Sequence, residues 1–234
     1  MRAYVIGGPR RTRRSAPLSP GEENKVMKVD YWNYRRLHPE GKDHIKGWFD
    51  RAWHKRKCRD DKSFEPFILC WMAFNSWAAC VTDEDRDWRI IESLSADKVL
   101  TSGFAALVAK NQAFAELAQS FRAWWPIFQV KELRRLKVFT PHSNDRRQVV
   151  EFYFKAGSLK YTPNVSDREP LVGNDIPLHW KNAIEALYQV RCNLMHGDKR
   201  LSSEADQQIV GAAFRVLIQF FRHCLEAPEA FDNL

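Results

Sequence analysis

The sequence predicts an all-α fold, a helical bundle interrupted by one irregular insertion. Three observations carry that expectation. Apolar residues recur at three- and four-residue spacing through most of the chain, the period of helices with one buried face. Strand-like sequence is nearly confined to one stretch, and Pro, Asn, Asp and Gly cluster beside it. With 234 residues, 44% of them hydrophobic, the chain can bury a sizeable core, as one domain with an insertion or arm.

Charge is unevenly placed. The net charge is +8, yet residues 1–62 hold 17 Lys and Arg against 8 Asp and Glu, while residues 63–234 hold 20 against 21. A basic N-terminal quarter is attracted to nucleic acid or to an acidic partner, and a solvated basic tail explains it equally well. Residues 1–26 contain Gly7-Gly-Pro-Arg-Arg-Thr-Arg-Arg14 and Ser15-Ala-Pro-Leu-Ser-Pro-Gly21, a composition that builds no core and reads as a disordered basic arm. Met27 is a more natural beginning, so the arm is read as a start-codon extension and residues 27–234 as the helical domain. Cys58, Cys70, Cys80, Cys192 and Cys224 form no C-x-x-C pair, which predicts reduced core thiols and argues against zinc. No apolar run reaches the roughly 20 residues that span a bilayer, so the expectation is a soluble cytoplasmic protein.

From Asp43 to about Arg59, Ile45, Trp48, Phe49, Ala52 and Trp53 form an apolar stripe and Lys46, Arg51, Lys55, Arg56, Lys57 and Arg59 a basic face, an amphipathic helix. A second helix is expected from Phe64 to Val81, with Pro66 tolerated in its first turn. Its apolar residues wrap most of the circumference, so it should be central, with Asn75 the polar exception. Asp83-Glu-Asp85 opens a short helix carrying Trp88, Ile90, Ile91 and Leu94. Residues 96–125 predict one long helix, or two broken near Gly103 or Asn111, ended by Pro126. Residues 129–176 form the insertion, in which Val149–Phe154 and Leu159–Tyr161 could pair as a hairpin about Gly157. Pro177 fits the first turn of the next helix, with Asp175 or Ile176 just outside it. Ser202 or Ser203 caps the last helix, which runs to about Glu226 with Glu204 and Asp206 near its positive end.

The helix ending at Gly197 carries the chemistry. Ile184, Leu187, Tyr188, Leu194 and Met195 make an apolar stripe, Arg191 lies on it, and His196 follows at the C-terminus before a capping Gly197. A guanidinium on an apolar face needs a partner; Asp198 or Glu185 would supply an ordinary one, and His196 would then merely face the last carbonyls of its helix. Five residues rise roughly 7.5 Å and turn roughly 140°, so the two side chains do not stack. The pair nevertheless suits phosphodiester chemistry, with Arg on phosphate oxygens and His as general base or acid. Arg135 and His142 also form such a pair, but Thr140-Pro141 intervenes and ends any helix there. The remaining His residues show no ligand spacing.

The segment Tyr188-Gln-Val-Arg-Cys-Asn-Leu-Met-His-Gly197 resembles the signature of the HEPN superfamily (higher eukaryotes and prokaryotes nucleotide-binding), whose ribonuclease members carry an Arg, four to six residues, and a His. Here these are Arg191 and His196. Many members place Asn, Asp or His directly after the Arg, where this chain has Cys192, with Asn193 one further on. Trp71-Met-Ala-Phe-Asn-Ser-Trp77 is similar to an early helix of several bacterial HEPN families. The resemblance implies an all-α, metal-independent endoribonuclease without cofactor, acting as a homodimer whose motif helices line one cleft. His196 would take the proton from a ribose 2′-OH, Arg191 would stabilise the phosphate, and the product would end in a 2′,3′-cyclic phosphate. Asn193 and Asn75 are candidates for positioning. Similar proteins are toxins of toxin–antitoxin pairs or antiviral-defence effectors, which implies an RNA substrate and an antitoxin or sensor partner; a catalytically silent module that binds RNA or a protein is the alternative.

Overall fold

A computed structural model describes residues 29–131, 145–155, 160–166, 171–196 and 203–226. The basic arm, Arg135, His142, Gly197 and Asp198 lie outside these residues. Among the described residues there are nine α-helices and a single two-stranded sheet, so the all-α expectation holds. The helices are α1 Tyr31–Arg35, α2 Pro39–His54, α3 Phe64–Thr82, α4 Asp87–Ala96, α5 Lys98–Lys110, α6 Gln112–Arg122, α7 Arg146–Lys155, α8 Trp180–Met195 and α9 Glu204–Glu226.

Helix α3 is central because its apolar residues leave no polar face. Phe67, Phe74, Trp77 and Ala78 are fully buried, and Phe221 of α9 packs edge-on against both Phe74 and Trp77, with ring centroids 5.4 and 5.7 Å apart. By length and composition α3 could cross a membrane, contrary to the sequence expectation that no stretch could; more than half of it is buried inside the bundle. A second aromatic cluster joins Trp180 of α8, Phe104 of α5 and Phe220 of α9. Losing one such buried ring costs about 3–5 kcal/mol, so these interlocks dominate the packing.

Helix boundaries follow capping chemistry. The stretch 96–125 divides at Asn111, not at Gly103, because the Asn111 side chain accepts from the Phe114 amide at 3.0 Å and starts α6. Asp97 does the same for α5 through the Leu100 amide. Helix α2 begins earlier than its apolar stripe suggests, with Pro39 in its first turn. Ser203 is placed as expected, its hydroxyl accepting from the Asp206 amide at 3.3 Å.

Two local readings are corrected. Val149–Phe154 is helical within α7, not a strand: Val150 and Tyr153, three apart, are buried, and Tyr153 packs edge-on against Phe128 at 5.3 Å. Tertiary packing overrides the β preference of these residues. The sheet instead pairs β1, Ile127–Phe128, antiparallel with β2, Tyr161–Thr162, so the hairpin partner lies before the insertion and not within it. Pro177 also sits outside its helix. Helix α8 starts at Trp180 with His179 as N-cap, because Ile176 and Trp180 are both buried and the chain between them stays out of the helix to place them.

Gly211 of α9 permits a close approach. A Cβ there would stand 2.1 Å from Oδ1 of Asp60, a carboxylate that also pairs with Arg215 at 2.6 Å. Gly211→Ala should therefore lower stability by about 1 kcal/mol despite the helix preference of Ala, and the same change on an Asp60→Ala background should raise it; thermal melts of the three variants check both. At the start of α8, His179 Nδ1 accepts from the Asn182 amide at 3.4 Å. Burial, helped by Lys181, holds its imidazole below the ordinary value of 6.5. The unfolded chain thus takes up this proton first, so stability is full above that value and falls as pH drops towards the folded one. A melting temperature that declines between pH 7.5 and 5, and declines less in His179→Asn, is the expected outcome.

Candidate functional site

Helix α8 lies antiparallel to α4 and is fixed to it at both ends. At one end the Trp180 indole donates to the Leu94 carbonyl at 2.7 Å. At the other, Nη2 of Arg191 meets Oδ2 of Asp87 at 2.8 Å. Arg191 therefore has a partner in Asp87; among the described residues no ion pair joins it to Glu185, and Asp198 lies outside them. Asp87 is the first residue of α4, where the helix N-terminus stabilises a carboxylate. The sequence predicts a helix opened by Asp83, Glu84 and Asp85; the helix starts instead at Asp87, whose link to Arg191 depends on the antiparallel register of α4 and α8.

The pair sits at the edge of the core. The two side chains are 22% and 30% exposed, the Nε of Arg191 is buried without a hydrogen bond, and the next residue along α4, Trp88, is exposed. One turn on from Arg191, Met195 is exposed as well. Tyr188, a turn before Arg191, packs on Trp71 of α3 with ring centroids 6.2 Å apart. Burial first, then the hydrogen-bonded Cys192 and the Asp87 carboxylate, push its phenol up to about 12 against the pull of Arg191. Tyr188 is thus a neutral hydroxyl at neutral pH and supplies no base.

His196 ends the helix as its C-cap. Its backbone amide donates to the Cys192 and Leu194 carbonyls, and its side chain is exposed. Arg191 and His196 share the exposed end of α8 but make no hydrogen bond to one another, as their separation of roughly 140° around the helix requires. Within one chain they therefore flank a surface and do not form a contact pair.

The two positioning candidates behave differently. Asn193 is buried, about 200° around the helix from Arg191. Its Nδ2 donates to the Phe128 carbonyl at 2.8 Å, and its Oδ1 accepts from Gln189 at 3.0 Å and from the Val130 amide at 3.3 Å. It rivets β1 to α8. Asn75 is half-buried one turn on from Trp71 and makes no hydrogen bond to any described residue, so it is not joined to Arg191 or His196. On the far side of β1, Arg146 donates to the Trp124 and Pro126 carbonyls and stacks on Phe128; burial lowers its guanidinium to about 10. Among the described residues no three His, Cys, Asp or Glu side chains converge as a metal site would require.

Comparison with known protein families, with curated proteins and with solved structures finds no match. The residues themselves carry the functional reading. Asn193→Ala should cost about 2–3 kcal/mol, since it strands a backbone carbonyl and an amide together. Hydrogen exchange should quicken at Val130 while the amides of α8 keep their protection.

Proposed function

We propose that the protein is a metal-independent endoribonuclease of HEPN type that cuts RNA in the cytoplasm as a homodimer, serving as a toxin or antiviral-defence effector under the control of an antitoxin or sensor. One observation supports this most. An Arg and a His separated by four residues both reach the surface at the exposed end of one bundle helix, and the Arg uses a single nitrogen in its ion pair. A guanidinium has five N–H donors, so Arg191 keeps the capacity to grip phosphate oxygens while paired.

In the proposed reaction His196 removes the proton of a ribose 2′-OH, and the 2′ oxygen attacks the adjacent phosphorus. The bond from phosphorus to the 5′ oxygen breaks, and that oxygen takes a proton from water or from the imidazole of a second copy. The products are a 2′,3′-cyclic phosphate and a 5′-hydroxyl. Arg191 stabilises the charge that gathers on the phosphate oxygens. Because Arg191 and His196 diverge by roughly 140° on one helix, joining two copies of the α8 end is the economical way to bring one residue of each type to one phosphate.

The second reading is a catalytically silent module of the same type. The Asp87 pairing favours it, since an ion-paired Arg191 has a structural role without any chemistry. Incubation of the purified protein with bulk RNA separates the two. Arg191→Ala and His196→Ala should each reduce formation of 2′,3′-cyclic ends by about 100-fold or more, and each should abolish growth arrest on induced expression. Both variants should melt close to wild type, because a part-exposed ion pair contributes at most about 1 kcal/mol. A double variant that arrests growth as the wild type does would overturn catalysis by this pair.

A further inference from the structure

Asp87 presents its carboxylate to Arg191 from a different helix, and the geometry of that contact has consequences for the site. On α4, Ile90, Ile91 and Leu94 face the core and Trp88 faces solvent; at about 100° per residue Asp87 lies on the core-facing side, and as the first residue of the helix its side chain stays 30% exposed. On α8, Ile184 and Leu187 are buried and Met195 is exposed, so Arg191 is likewise at the margin. The two side chains meet where core gives way to solvent.

Inside that margin, the Nε of Arg191 is buried and unbonded. Among the described residues, no hydrogen bond to Nε sets the orientation of the guanidinium. Its fixed point is the outer one, Nη2 on Oδ2 of Asp87 at 2.8 Å. Asp87 is itself placed by the first turn of α4.

We infer that Asp87 is a positioning residue for Arg191: it holds the guanidinium at the mouth of the site in the orientation that receives the RNA phosphate, and it weakens ground-state binding of that phosphate in doing so. This rests on the endoribonuclease reading. The two effects have opposite signs and separate experimentally. A carboxylate beside Arg191 offsets the charge a phosphate would meet on arrival, so its removal strengthens RNA binding. The same removal frees the guanidinium to rotate, so it no longer meets the charge that develops on the phosphate oxygens.

The test uses Asp87→Asn, Asp87→Glu, Arg191→Ala and the Asp87→Asn/Arg191→Ala double variant, with a mixed-sequence single-stranded RNA oligonucleotide as substrate. Its 2′-O-methyl counterpart, which has no free 2′-OH to react, serves as the binding probe. Asp87→Asn should lower kcat by about 10-fold or more, lower KM, and bind the 2′-O-methyl oligonucleotide more tightly than wild type. Asp87→Glu should recover much of kcat. On the Arg191→Ala background, Asp87→Asn should change nothing further. An ion pair with only a structural role would shift the melting temperature and leave kcat and KM as in the wild type. If Arg191→Ala and His196→Ala abolish cleavage while Asp87→Asn cleaves and binds as wild type, the role of Asp87 falls and the endoribonuclease reading stands. If the wild type cleaves no more than Arg191→Ala, both fall together.

Discussion

Everything proposed for this protein depends on α8 being pinned to α4 at two points. The indole of Trp180 on the Leu94 carbonyl fixes the buried end, and Arg191 on Asp87 fixes the surface end. The first contact is anchored in an aromatic cluster, Trp180 against Phe220 at 4.5 Å, so the axis of α8 is set by packing. With the axis and one end fixed, the height at which the other end emerges is also fixed. That places Arg191 at the core margin and His196 outside it.

The circumference of the same helix divides its labour. Residues two apart lie nearly opposite each other on a helix, and the sequence exploits this at Arg191 and Asn193. Asn193 turns inward and makes its hydrogen bonds to Gln189 and to the backbone of residues 128 and 130. Arg191 turns to the edge and keeps donors in reserve. The small β1–β2 sheet is therefore tied to the back of the helix whose front edge carries Arg191. Arg146, donating to the Trp124 and Pro126 carbonyls, holds the same segment from its other side. The insertion is built into the support of α8.

The helical fold was legible because its signals are local: the all-round apolar surface of α3, the Asn111 cap, and Ser203 ahead of α9 all act within a few residues. What was not legible is what depends on register between distant segments. Val149–Phe154 has β-branched and aromatic residues that favour a strand in isolation, and becomes helical because Phe128 receives Tyr153. The sequence marks Asp83, Glu84 and Asp85 at this helix start and not Asp87, which only the antiparallel placement of α4 on α8 singles out. Asn193 drew notice as a polar residue near a motif, while its partners are backbone groups that no sequence pattern marks. Arg191 and His196 were visible as types and spacing; their divergence around the helix followed from its geometry, and the counter-ion did not.

Stability and proposed chemistry draw on different parts of this molecule. The interlocked rings of α3, α5, α8 and α9 lie inside the bundle, and each contributes several kcal/mol. The Asp87–Arg191 pair lies at the edge and contributes little by comparison. The surplus charge is elsewhere again: residues 1–62 carry an excess of nine positive charges, and residues 63–234, which include α4 and α8, are nearly balanced. In the proposed function, long-range attraction of a polyanion falls to the N-terminal quarter and short-range phosphate contact to one guanidinium with a built-in counter-ion. A site that is locally near neutral does not hold nucleic acid strongly by charge alone, so the contact at Arg191 is governed by orientation. In the proposed reaction that places the demand on the geometry of the ion pair, so a single carboxylate on a neighbouring helix would matter more there than the overall basicity of the chain.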